Sequence, residues 1–267
     1  VYNCHFSFAD FSDCCFDTCI IENNDIKNVK YLFFSIANEN LPDNASELWK
    51  DKYNRLFENM KNLIVRNNRV VNEPTIVSST IDYCGFIVAE TQNVVYTGNY
   101  VEGIVSDNGA VYDAYLSCKN VIYTGNIWKN NVAYAQNDNN SFIKCKGGGG
   151  VRTYSDNKFI VEKSFVDMLI ETYGADRTKC AVSLCSLTSE VDISIENNMF
   201  EADVLKFFTS NTPAKTYIFR NNYIKINQYL GAALLSCITN ARAVFENNFL
   251  HCTEGNDEEL KIVVVTE

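Results

Sequence analysis

Between positions 86 and 146 the chain carries Glu90, Asp113, Tyr115, Lys119, Lys144 and Lys146, residue types that can handle a sugar polymer. Cleaving a glycosidic bond by hydrolysis takes two carboxylates roughly 5–9 Å apart. Glu90 and Asp113 fit that demand poorly, because they stand about 13 Å apart along a strand besides one strand-to-strand step. Asp82, Asp107 and Asp138 fall in loops, and their approach to a carboxylate is not fixed by sequence. Eliminating a sugar next to a uronate takes a Lys or Arg base and acids that neutralise the substrate carboxylate, often through calcium. Lys144 with Glu90 are the catalytic candidates on that reading, with Lys146 as the other base. Without chemistry, the same six residues suit binding: an aromatic face for a sugar ring, lysines for its acid groups. The plain alternative is a solvated sheet surface.

Other chemistries find less support. Eleven cysteines and two histidines, His5 and His251, form no C-x-x-C pair and no zinc spacing. In a chain of 267 residues, 46% of them apolar, the cysteines read as small, free, buried hydrophobes. The run 147–150, GGGG, lacks the Lys-Ser/Thr of a phosphate loop and reads as a tight corner. A net charge of −10 repels nucleic acid and anionic lipid, so neither is expected as a partner. No apolar run reaches the roughly 18 residues of a membrane helix. The opening VYNCHFSF has no signal peptide and no Met, and reads as a processed chain or a fragment.

The elements that position these residues are marked by a repeated phrase. Asparagine stands at 24, 68, 99, 126, 157, 198, 222 and 248, each preceded by Asn, Gly or Asp. Three positions earlier stand Ile21, Val65, Tyr96, Tyr123, Tyr154, Ile195, Phe219 and Phe245. Two positions later stand Ile26, Val70, Val101, Trp128, Phe159, Phe200, Ile224 and Leu250. Such phrases at 24–44 residue spacing signal a solenoid, and the flanking apolar–polar alternation signals strands. A strand, a one- or two-residue corner and a second strand cannot make a hairpin, so the chain bends and winds on. The anchor Asn is expected in the left-handed conformation at that corner, with its amide hydrogen-bonded to the amides above and below.

Over residues 19–252 this pattern resembles the right-handed parallel β-helix family of pectate lyases, rhamnogalacturonases and phage tailspikes. The resemblance implies an all-β solenoid of about eight coils with three strands per coil. Third strands are then expected at 86–91, 113–118, 141–146, 182–186, 206–210 and 234–239. Aligning them stacks Cys118, Cys145, Cys185, Ser210 and Cys237 inward under Thr91. The outward columns become Glu90–Ser117–Lys144, Gln92–Lys119–Lys146 and Val88–Tyr115–Phe142. The clustered calcium-binding Asp residues and the arginine of pectate lyases have no counterpart, so no family catalytic residue carries over. No metal and no cofactor is expected, calcium excepted if the chain is a lyase. Opposite charges at Glu102 and Lys129, and at Glu201, Lys225 and His251, read as surface ladders.

One domain is expected over 1–267, with regular coils at 63–252 and a terminal strand at 253–267. Residues 1–36, where Phe6, Phe11, Phe16, Ile21, Ile26 and Tyr31 recur every five residues, resemble a pentapeptide repeat or are irregular first coils. The segment 41–62 has helical spacing and predicts an inserted α-helix near 44–62. Residues 165–179 are a long loop or a short helix. The final ELKIVVVTE leaves an uncovered strand, which implies a partner chain or a further domain. The expected role is a virion appendage or extracellular surface protein that binds cell-surface or acidic polysaccharide, working as a homotrimer. A polysaccharide lyase or glycoside hydrolase and a structural spacer are the alternatives.

Overall fold

A computed structural model describes residues 9–10, 17–28, 34–36, 46–48, 50–51, 61–75, 77–78, 83–84, 87–107, 110–111, 113–116, 118–134, 140–146, 150–187, 192–208, 216–229, 233–238, 242–253 and 261–266. These are mostly strands, and every strand pairing is parallel. The repeated phrase sets the order. The strand before each Asn pair belongs to one eight-stranded sheet, running from Thr18–Glu22 through Asn62–Arg66, Asn93–Thr97, Asn120–Thr124, Val151–Ser155, Asp192–Glu196 and Thr216–Arg220 to Arg242–Glu246. We call it the first ladder. The strand after each pair forms a second ladder, from Asp25–Lys27 through Arg69–Val71, Tyr100–Glu102, Ile127–Lys129, Lys158–Val161, Met199–Phe208 and Tyr223–Tyr229 to Phe249–Cys252. Phrase lies on phrase without slip, as in Tyr96↔Tyr123 and Val101↔Trp128.

A third row of strands, Phe34–Ile36, Ile87–Glu90, Asp113–Leu116, Asn140–Lys146 and Val182–Leu187, joins the second ladder through the ten-residue strand Met199–Phe208. The last four match expected third strands; Phe34–Ile36 is an addition to them, and 206–208 continues the strand begun at Met199. At the start, Thr18–Glu22 and Asp25–Lys27 already pair in phrase register with the next rung. At the end, Lys261–Thr266 pairs with Ala233–Ile238.

Alternation explains the core. In the first ladder the second and fourth residues of each strand point inward, and in the second ladder the middle residue does. Of the sixteen flanking apolar positions, the fourteen on the first seven rungs are 0–2% exposed, Trp128 at 0%, while Phe245 and Leu250 of the last rung are only partly covered. Rings lie on rings: Tyr96 on Tyr123 at 4.5 Å, Phe159 on Phe200 at 5.1 Å and Phe219 on Phe245 at 5.3 Å between centroids. Each such pair adds about 0.5–1.5 kcal/mol beyond the area it buries.

All eight anchor amides line up. Each Asn donates from its backbone N and its Nδ2 to the Oδ1 of the next, from Asn24 to Asn248, at 2.8–3.1 Å. The second Nδ2 hydrogen goes to a strand carbonyl, such as Tyr96 O for Asn126 at 2.9 Å. The left-handed residue, however, is not the anchor. It is the residue before: Asn23, Asn67, Gly98, Gly125, Asp156, Asn197, Asn221 and Asn247, with φ of 51–65°. The corner needs one residue that tolerates positive φ, which Asn, Asp and Gly do. That frees the second residue to turn its side chain inward.

Two further expectations change. Residues 47, 48, 50 and 51 are helical, but Asn62 opens the strand Asn62–Arg66, so no helix extends to 62. Apart from Ser46, the rest of 41–60 lies outside the described residues. The α-helix described in full is Lys163–Tyr173, within the 41-residue gap. It buries Phe165, Val166 and Leu169 and ends on Gly174, whose φ of 66° allows its N–H to reach Ile170 O at 2.9 Å.

Candidate functional site

The third row positions most of the sequence-derived candidates. Glu90 lies opposite Leu116, and Leu116 opposite Lys146; Ala114 lies between Val88 and Lys144; Tyr115 lies between Ala89 and Cys145. The columns aligned from sequence are therefore shifted. Glu90 shares its column with Lys146, not with Ser117 and Lys144. Cys145 lies opposite Tyr115, not Cys118, and Cys185 opposite Ile143. A hydrogen-bond ladder fixes register, whereas a row of small residues does not, and a one-residue slip exchanges the two faces. By alternation Glu90, Lys144 and Lys146 occupy register positions of one face, and Asp113 and Tyr115 those of the other. Glu90 and Lys146 are two rungs apart, about 10 Å. Lys119 is exposed just before the strand Asn120–Thr124, where its N–H meets Gln92 O. The five in the third row divide between the register positions of its two faces.

On the outer surface of the second ladder, sequence reading found the charge ladders but passed over the column beside them; the surface carries two different regions. On the early rungs the charges close on each other. The Arg69 guanidinium lies 5.8 Å over the Tyr100 ring and pairs with Asp25 at 3.3 Å. Tyr100 Oη donates to Glu102 Oε2 at 2.6 Å. Burial, then Glu102, holds the Tyr100 hydroxyl above its ordinary value against the pull of Lys129 and Arg69. Lys129 Nζ sits 3.3 Å from both Glu102 and Glu162. Partial burial works to lower the Lys129 ammonium, but the two carboxylates outweigh it and hold it above its ordinary value. Asn130 donates to Glu162 at 2.9 Å and, with Lys129, keeps that carboxyl low despite its burial. This network ties the start of the helix Lys163–Tyr173 to the ladder and leaves neither cation without a carboxylate partner.

On the later rungs the surface opens. One column runs Ile127, Lys158, Met199, Tyr223, Phe249. Tyr223 and Phe249 are 41% and 52% exposed, with parallel rings 5.0 Å apart. His251 lies beside Phe249, 6.5 Å between ring centroids. Lys158 is exposed and makes no ion pair among the described residues. In the neighbouring column Glu201 and Lys225 pair at 2.8 Å and Lys225 lies opposite His251, the charge ladder expected from sequence. A signal for this row was present. Its members stand one position after each anchor, and reading that column down the repeat gives Lys158, Met199, Tyr223 and Phe249 in order.

Two buried polar groups were also missed. Asp203, with its side chain at 0% exposure, accepts from Arg177 at 2.6 and 2.8 Å and from Asn227 at 2.9 Å. Burial pushes its carboxyl up, but hydrogen bonds from Arg177 and Asn227 and the charges of Arg177 and Lys163 outweigh burial and hold it low. Arg152 stands at an inward position, 0% exposed, and donates to Lys119 O at 2.7 Å and to Cys118 O. That corner is tight: a Cβ on Gly150, at φ 126°, would fall 1.8 Å from Lys119 O. Neither group opens to a substrate.

Cysteine chemistry is disfavoured where it can be read. Cys118 and Cys180 are buried, Cys19 and Cys252 half-buried, and all four are thiols outside any disulfide. Burial, with Asp176 and Asp203 nearby, pushes the Cys180 thiol up to about 12, so it carries no thiolate near neutral pH. No group of three or more His, Cys, Asp or Glu among the described residues comes together as a metal cage would. No helix among them is long and apolar enough to cross a membrane. No family model, no curated protein and no solved structure matches this chain.

Proposed function

We propose that the ladders are the sides of one right-handed parallel β-helix of about eight coils, and that this protein serves on a virion appendage or a cell surface, where it binds polysaccharide. The observation that carries the binding role is the outer row Lys158–Met199–Tyr223–Phe249, an exposed cation followed by a half-buried thioether and two exposed parallel rings. Sugar rings pack their C–H faces against such rings, and a free ammonium suits a uronate or sialate carboxylate. The rungs are about 4.8 Å apart, close to the rise of one sugar in an extended polymer, so a linear glycan laid along the row meets one side chain per residue. Binding of acidic capsular and lipopolysaccharide fragments, screened on an array and measured by calorimetry, tests this. Silence across acidic and neutral glycans would leave a structural spacer as the reading.

A second reading keeps the third row. Glu90 and Lys146 share one column with Leu116 between them, and a base and an acid two rungs apart could straddle a uronate as a lyase requires. An absorbance rise at 235 nm on acidic polysaccharide, lost in Lys146→Ala, supports it. Activity that survives both Lys146→Ala and Glu90→Ala removes this row as the site.

A further inference from the structure

The outer surface of the first ladder differs from the binding row and has no glycan-like contacts. Its middle column is Ile20, Ile64, Val95, Ile122, then two hydroxyl residues, then Ile218 and Val244. Ile20 and Ile122 are 37% and 43% exposed. A mostly β-branched stripe, interrupted at Ser194 and without one aromatic ring, offers flat packing and nothing that stacks on a sugar. On the last rung, Arg242 and Glu246 are both exposed, and neither makes an ion pair among the described residues. Four residues apart on one strand, they are about 13 Å from each other and cannot pair within the chain.

We propose that this face docks a second copy of the same chain about a two-fold axis parallel to the ladder. Such an axis lays each strand against its own reversed copy. The middle column then faces itself, Ile122 against the partner's Ile122, and the first residue of each strand faces the partner's fifth. Arg242 thereby meets the partner's Glu246, and the reciprocal pair forms by symmetry, as in the isologous contact that most homodimers use; on the sixth rung Asp192 meets the partner's Glu196, whose charge Arg220 offsets at 2.8 Å. Eight strands at about 4.8 Å, each of five residues at about 3.3 Å, give a face of about 600 Å² per copy, or about 1,200 Å² for the pair. That is the lower bound of a stable specific interface. The inference pairs two copies, in place of the three that the resemblance implies, and it is independent of the glycan reading.

Sedimentation velocity of the full chain over a concentration series tests it. The expected result is a monomer–dimer equilibrium. Ile122→Arg should weaken the dimer at least tenfold with an unchanged circular dichroism spectrum. Arg242→Glu and Glu246→Arg should each weaken it, and the double swap should restore it toward the parent value. The swap changes only exposed side chains, so it reads the contact even if Ile122→Arg disturbs folding. A monomer at all concentrations, a trimer, a glycan that displaces the dimer by occupying this face, or a dimer indifferent to the charge swap overturns the proposal.

Discussion

The two ladders share every rung and every corner, yet their outer faces have opposite chemistry. The first ladder shows solvent a β-branched stripe between polar margins, with ion pairs Glu22–Arg66 and Glu196–Arg220 along one edge. The second shows a closed charge network on its early rungs and an open cation-and-ring row on its later ones. Since backbone geometry is common to both, the difference lies wholly in the outward positions of the alternation. The inward positions and the Asn corner set the fold, and the outward ones are left free to carry separate contacts. On the two proposals above, the same scaffold would hold a copy of itself on one side and a ligand on another.

Removing what both faces share should have the largest effect. Trp128→Ala empties the widest buried side chain of the second ladder and should cost about 3–5 kcal/mol, read by urea unfolding, with both contacts weakened together. Asn126→Ala deletes one amide of the line and strands Asn99 and Asn157, which should cost about 2–3 kcal/mol in the same experiment. Exchanging the faces sharpens the comparison. Tyr223→Ala should lower glycan affinity by about 3–10-fold and leave self-association unchanged, since a ring contact is worth about 0.5–1.5 kcal/mol. Ile122→Arg should do the reverse. If each variant moves both readouts, the two faces are not separate.

Acid gives a smaller, graded effect. The folded Asp203 carboxyl lies below its ordinary 3.8, so the folded state binds its proton less readily than the unfolded chain. Its contribution is full above that ordinary value and is lost as pH falls through the lower folded value. Glu162 behaves alike. Unfolding curves between pH 6 and 3 should therefore show stability falling mainly below about pH 4, and Asp203→Asn should flatten that decline.

Much of this was legible in the sequence, for a physical reason. A rung must repeat its inward apolar positions and its corner amide, so Tyr96, Tyr123 and Asn126 advertise the fold wherever they recur. The corner itself was read one residue late, although Gly98 and Gly125 mark the positive-φ position plainly. The third row was legible as strands but not in register. Loops of unequal length precede each strand, and small residues such as Cys118 and Cys145 carry no register information. The Arg177–Asp203 pair left no trace at all, because it joins a short helical turn to a strand 26 residues away. The outward row at Tyr223 and Phe249 was readable down its column but was overlooked in favour of the third strands.

The most direct test of the common scaffold is hydrogen exchange of the asparagine side-chain amides, followed by ¹⁵N NMR. Both Nδ2 hydrogens of Asn68, Asn99, Asn126, Asn157, Asn198 and Asn222 are donated inside the protein. These six amides should stay protonated for hours in D₂O while exposed asparagines exchange within the dead time. Rapid exchange of all asparagine side chains in the folded protein would contradict a single line of stacked amides, and with it both faces built upon it.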